Sequence, residues 1–292
     1  MEINPKLPDL LYKYTSANGL AATLKNASLR FSRPNLFNDL FDTTLELVAD
    51  FDRDTIVANV LEDTYQNIQG NSSIPLEGTM GRMIRLMQKN FHKMPEKEVI
   101  LKELRLGVEE SLDLLPELSK KFGNEISGFL KTSKICCFSS DSLAPPMWGN
   151  YANNLSGSVL GFAPTPGADS FFKLARPVHY TDQRPTLMDQ ERIIGLLSGV
   201  GVTNADAIYQ EVLHTKHSSW AYEKEWRIAA GSGWSPEIEV EYVGFHKADL
   251  RQVILGTRFD KGMIESVKDE LAKYPNVYLF QLSERYKLKP IV

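Results

Sequence analysis

Within six residues, Tyr222-Glu223-Lys224-Glu225-Trp226-Arg227, the chain places two glutamates, an arginine and two aromatics. That combination suits acid–base chemistry, or stabilisation of a developing positive charge, if one acid is held ionised while a carboxylate reaches a substrate. Laid on a strand over residues 220–230, the stretch sends Trp220, Tyr222, Lys224, Trp226 and Ile228 to one face. Ala221, Glu223, Glu225, Arg227 and Ala229 take the other. Carboxylates two positions apart on a strand lie roughly 7 Å apart. At an effective dielectric of about 20 they repel by about 2 kcal/mol. Arg227, on the same face, offsets that repulsion. Two readings stay open. One is a structural Glu225–Arg227 ion pair with Glu223 in solvent. The other is a glutamate-x-glutamate site in a cleft, with Glu225 catalytic and Glu223 orienting substrate or activating an acceptor.

Three further stretches carry candidate chemistry. In residues 144–162, APPMWGNYANNLSGSVLGF, Pro145 and Pro146 start a helical turn that presents Trp148 and Tyr151. Those rings either stack a flat ligand or anchor the core. In LYKYTS (11–16), Tyr12 and Tyr14 share a strand face with Lys13 opposite. Lys13 or Tyr14 then meets a ligand, or Lys13 is an exposed residue between packed tyrosines. In SRPNLFNDLFD, Asn38 and Asp39 either bind a ligand or close a turn. The five histidines, His92, His179, His214, His217 and His246, show no HExxH or other metal spacing. His214 and His217 fall at i, i+3 on an expected helix, and no metal ligands are assigned. A phosphate-binding loop, a dinucleotide fingerprint after a strand and a GxSxG elbow are all lacking.

The elements that must position these groups follow from periodicity. Residues 10–14, 28–32, 134–139 and 158–162 read as strands, as does part of 171–180, where Pro177 marks an edge or bend. EIEVEYVGF alternates, and the segment from Leu250 reads strand, helix, strand. Ser16 is placed to cap a helix carrying Leu20 and Leu24. Residues 51–131 change to helical spacing, with Met80, Met83, Ile84, Met87 and Phe91 on one face, read as core. The expected fold is α+β in a single domain over 1–292. Its β-rich core, mixed or antiparallel, comprises 1–50 and 132–292, and 51–131 is an inserted helical block, read as a cap over the cleft.

The chain has 292 residues, 42% hydrophobic and 24% charged, with a net charge of -4. Apolar content suffices for a sizeable core, and the charge balance lacks the basic stripe of a nucleic-acid binder. Cys136 and Cys137 are neighbours, so on a strand they point to opposite faces. They are read as reduced thiols of a cytoplasmic protein. The N-terminal residues show no signal-peptide pattern, and no apolar run approaches the roughly 20 residues of a membrane span.

Taken together, LYKYTS (11–16), FNDLFD (37–42), CFS (137–139), MWGNYANNLSGSVLGF (147–162), VHY (178–180) and KHSSWAYEKEWR (216–227) resemble the motifs of the bacterial domain of unknown function 2971. VILGTR (253–258) resembles its C-terminal strand. Two departures stand out. Leu40-Phe41-Asp42 replaces the family's Pro-Phe-Glu, and Leu155 stands at its motif histidine. A looser analogy is to ADP-ribosyltransferase folds, which place a His or Arg on a first strand, a Ser or Tyr on a second and a late glutamate. The analogy implies NAD as substrate. Glu225, Glu223 and Tyr151 would be catalytic, and Lys13, Tyr14, Asn38, Asp39, Trp148, Tyr222 and Arg227 would hold the nucleotide.

The leading expectation is an NAD-using ADP-ribosyltransferase or glycohydrolase, acting as a toxin or antiphage effector on a protein or nucleic-acid acceptor. The first alternative is a non-catalytic module that senses a nucleotide or a partner. The second is a nuclease gathering Asp39, Asp42, Glu223 and Glu225 around a divalent ion.

Overall fold

The computed structural model describes residues 6–39, 41–48, 50–71, 74–201, 204–230 and 237–291. In chain order the first elements are β1 (Leu11–Thr15), α1 (Ala17–Asn26), β2 (Ser28–Ser32), β3 (Glu46–Val48), α2 (Arg53–Gln69), α3 (Gly78–Lys89) and α4 (Lys97–Thr132). Next come β4 (Lys134–Ser139), α5 (Pro145–Asn150), β5 (Ser158–Phe162), β6 (Arg176–Pro177), β7 (His179–Thr181), β8 (Thr186–Met188), α6 (Gln190–Ser198), α7 (Ala205–Leu213) and β9 (Thr215–His217). The last are β10 (Glu225–Ala230), β11 (Val240–Gly244), β12 (Leu250–Leu255), α8 (Ile264–Leu271), β13 (Tyr278–Leu282) and β14 (Leu288–Pro290). The chain divides into two compact units, one of residues Met1–Thr43, Phe129–Gln183 and Leu213–Val292, the other of Thr44–Gly128 and Arg184–Val212.

The first unit is α+β around a ten-stranded sheet. Its strand path runs β11-β2-β4-β1-β5-β12-β13-β14, with β10 added against β4 and β6 against β10. Pairing is antiparallel except between β12 and β13, which α8 connects. Local sequence explains the local elements. Ser16 caps α1 by accepting from the Gly19 N–H at 3.1 Å, and the helix buries Leu20 and Leu24. On β5 all five residues are buried, as a continuous apolar run with neighbours on both sides requires. One core cluster gathers Leu11, Leu29, Phe31, Phe138, Phe162, Phe172 and Leu250. A second holds Tyr14, Trp148, Val159, Ile254 and Leu282. Between them β4 forms a junction: at Ser139 it is flanked by Tyr12 of β1 and by Glu225 of β10.

The second unit is mainly helical, with β3 and β8 paired in parallel. Asp52 caps α2 by accepting from the Asp54 N–H, and the Gly70 backbone closes it in the left-handed region. The methionine face of α3 is only partly core. Ile84 is buried, and Met80 and Met87 pack against its cluster with Tyr65 and Ile68. Met83 and Phe91 are exposed. Met83 stands about 100° round the helix from its neighbour Ile84, and Phe91 lies beyond α3 in the 3-10 turn Phe91–Lys93.

Two local expectations are corrected. Residues 220–230 do not form one strand: Ser218–Glu223 is a 3-10 helix, Lys224 sits in the left-handed region (φ 45°), and β10 begins only at Glu225. The helix expected through His217 stops at Leu213, and Thr215–His217 forms β9, paired in parallel with β7.

Candidate functional site

Ser139 at the end of β4 holds the turn that enters β10. Its hydroxyl donates to the Glu223 carbonyl oxygen at 2.6 Å, and the Ser140 N–H donates to the Lys224 carbonyl oxygen at 3.0 Å. The left-handed residue Lys224 folds Glu223 back beside Glu225, so the two acids meet without sharing a strand. From β9, Lys216 reaches both. Its ammonium donates to Glu223 Oε2 at 2.6 Å and to Glu225 Oε2 at 3.1 Å, and lies 3.6 Å from Asp42 Oδ2.

Arg227 lies beneath, fully buried, with all five N–H donors engaged. Nε donates to Glu225 Oε1 at 2.8 Å, and the terminal nitrogens donate to Glu225 Oε2, to both Asp42 oxygens and to the Leu213 carbonyl oxygen. Three carboxylates thus face two cations, a formal balance of -1 in a buried cluster. The cluster continues outward. Tyr151 donates its phenol proton to Glu223 Oε1 at 2.6 Å. The Glu225 N–H donates to the Tyr180 phenol oxygen at 2.8 Å.

The two glutamates are driven in opposite directions. Burial opposes ionisation of Glu225, but Arg227 and Lys216 outweigh it and hold the acid at about 2. At Glu223 burial wins over Lys216 and the Tyr151 hydrogen bond, so its carboxyl lies above the ordinary value. Lys216 stays charged because the three acids more than offset the cost of its burial. The Tyr151 phenol is raised by burial and then by the carboxylate it faces. Paired acids pushed apart in this way divide the work of a permanent anion and a proton acceptor.

These groups floor a cleft of about 330 Å³, within the size range of small-molecule sites. All its lining residues belong to the first unit. Of the residues singled out in the sequence, Lys13, Tyr14, Asn38, Asp39, Tyr151, Glu223 and Glu225 line it. Three stand elsewhere. Trp148 is fully buried, its indole N–H donating to the Ser142 carbonyl oxygen at 2.9 Å and its ring meeting Tyr14 edge-on at 5.6 Å. It is a core anchor with no face for a ligand. Tyr222 is half-buried against that same cluster and 6.0 Å from the Trp220 ring. Arg227 is sealed under the acids it holds.

Sequence reasoning missed Lys216, Trp220 and Cys137 as lining groups and Asp42 as the second partner of Arg227. Lys216 and Trp220 stand in the KHSSWAYEKEWR stretch, which was the available signal. The two cysteines separate as expected, Cys136 into the core and Cys137 onto the cleft. Leu155, at the resembled family's histidine position, packs half-buried near Trp148 with φ 68°. Leu40 lies outside the described residues.

No curated protein matches the chain, and no solved structure does. Residues 147–228 match the model of a family described as protein of unknown function (DUF2971), and this segment carries Tyr151, Lys216, Glu223, Glu225 and Arg227. Over this segment the chain is similar to that family.

Proposed function

We propose that the cleft binds a nicotinamide dinucleotide and that the protein is an NAD-using ADP-ribosyltransferase or NAD glycohydrolase. The observation that carries the reading is the unequal treatment of the two glutamates. Both oxygens of Glu225 are occupied by Arg227, one of them also by Lys216. Among the described residues the Glu223 carboxylate accepts from Lys216 and the Tyr151 phenol alone, and it has the raised pKa of a proton acceptor. Glu223 is therefore the acid we assign to substrate, with Glu225 as the fixed anion beneath.

The chemistry balances. The bond between C1′ of the ribose and the nicotinamide nitrogen breaks, and its electron pair goes to the ring, which leaves neutral. Positive charge develops on the ribose, where the surplus carboxylate stabilises it. An oxygen nucleophile, water or an acceptor hydroxyl, bonds to C1′ and gives its proton to Glu223. NAD⁺ is an intracellular substrate, so a cytoplasmic location goes with the proposal, as does the role of toxin or antiphage effector. A divalent-metal nuclease is disfavoured, because Lys216 and Arg227 already fill the space between Asp42, Glu223 and Glu225. Release of nicotinamide from NAD⁺, measured for the folded wild type and for Glu223→Gln, tests the reading. Loss of release in the variant supports it. Absence of release by the wild type, with protein and nucleic-acid acceptors supplied, overturns it.

A further inference from the structure

The cations under the cleft are saturated: Arg227 spends all its donors inside the cluster, and Lys216 is shared by three acids. Lys13 differs. It extends from β1, half-buried, and lines the same cleft. Its ammonium donates to the Cys137 carbonyl oxygen at 2.9 Å and lies 5.7 Å from the Phe138 ring centre. Among the described residues it has no carboxylate within ion-pair distance. An ammonium has three protons to donate; besides the Cys137 carbonyl the Cys136 side chain draws on it, which leaves one for a ligand. Asp39, the other acid of that wall, uses its carboxylate to accept from the Phe41 N–H at 2.9 Å.

The carboxylate whose charge reaches Lys13 is Glu225, and that acid is already held by Arg227 and Lys216, so Lys13 keeps capacity for an anion from a ligand. The cleft is therefore bipolar. β1 and β10 flank β4, so Glu225 at the start of β10 and Lys13 on β1 stand on opposite sides of one strand. We infer that Lys13 is the anion anchor of the cleft, taking a phosphate oxygen of a ligand whose opposite, positively charged end lies at the carboxylates. The inference rests on reading the cleft as a nucleotide site and specifies the ligand as one that carries both a cationic ring and a phosphate.

The test is calorimetric binding of two non-cleavable probes, carbocyclic NAD⁺ and the carbocyclic nicotinamide riboside that lacks phosphate. Wild type, Lys13→Met and Lys13→Arg are compared, with thermal unfolding to verify folding. The expected result is a loss of about tenfold or more for the dinucleotide in Lys13→Met, typical of a charge-assisted hydrogen bond. The riboside should be unaffected, and Lys13→Arg should restore most of the dinucleotide affinity. Equal losses for both probes, no loss for either, or no binding of either to the wild type overturns the assignment. Phosphate-dependent binding without nicotinamide release from NAD⁺ would leave Lys13 as the anchor and remove the enzyme reading instead.

Discussion

Arg227 and Asp42, 185 positions apart in the chain, meet through two parallel hydrogen bonds of 2.9 and 2.5 Å, with both side chains buried. The same guanidinium grips Glu225 through its other edge. One arginine therefore ties the FNDLFD loop, a wall of the cleft, to the strand that carries the buried acid. Planar, forked donors suit this double bidentate contact, and a lysine has no equivalent geometry.

Breaking that contact should cost stability before it costs chemistry. Removing one partner of a buried ion pair leaves the other uncompensated, which destabilises by about 3–5 kcal/mol. Asp42→Asn and Arg227→Lys are both expected to show losses of this size in urea unfolding, the second because a lysine cannot serve two carboxylates and the Leu213 carbonyl at once. A change below about 0.5 kcal/mol, the scale of ordinary surface substitutions, would mean the cluster is solvated.

Acid should unfold the protein partly through Glu225. Its carboxyl titrates at about 2 in the folded protein against 4.5 ordinarily. Between those values the unfolded chain binds a proton that the folded chain does not, so stability falls as pH drops through that window. The contribution is fully present above pH 4.5 and amounts to on the order of 3 kcal/mol. Glu225→Gln should flatten this limb in unfolding experiments from pH 5 to pH 2. Glu223 has the opposite sign, since its folded value is raised. Its contribution is present below the ordinary glutamate value and is lost as pH climbs through the folded one. Glu223→Gln should abolish that decline without altering the acid limb.

Most of the first unit was legible because its strands are short and alternate or are wholly apolar. Residues 28–32, 134–139 and 158–162 form strands with the expected bounds. Glu223 was not legible as a buried group. Alternation placed it on a strand, whereas the 3-10 helix and the left-handed Lys224 depend on hydrogen bonds from Ser139 and Ser140, more than 80 residues away. Distance in sequence also hid the Asp42–Arg227 pair. Lys216 was hidden differently: a lysine between Thr215 and His217 gives no pattern of its own, and its role exists only once three acids converge on it.

The two tryptophans near the site should separate by substitution. Trp148→Ala empties a fully buried position and should lower stability by about 3–5 kcal/mol. Trp220 is half-buried on the cleft wall with the Lys216 ammonium 4.9 Å from its ring. Trp220→Ala should cost about 2 kcal/mol, the worth of a cation–π contact to a desolvated ammonium, while weakening nucleotide binding. Urea unfolding and calorimetric titration with carbocyclic NAD⁺ check both. A stable Trp148→Ala protein with weakened binding would move the ligand to the other ring.

Tyr151 offers the finest probe of Glu223, because Tyr151→Phe deletes one hydrogen bond and little volume. The phenol donates to Glu223 Oε1 at 2.6 Å and so favours the carboxylate over the acid. Its loss must raise the Glu223 pKa further. If Glu223 accepts the nucleophile's proton, kcat/KM for nicotinamide release climbs with pH as Glu223 ionises, and that limb already lies above the ordinary glutamate range. In Tyr151→Phe the limb should move to higher pH, with the rate recovering on its alkaline side. A lower rate with an unmoved limb would mean that Tyr151 supports the cleft without tuning Glu223. A limb that moves to lower pH would show the phenol donating elsewhere in solution.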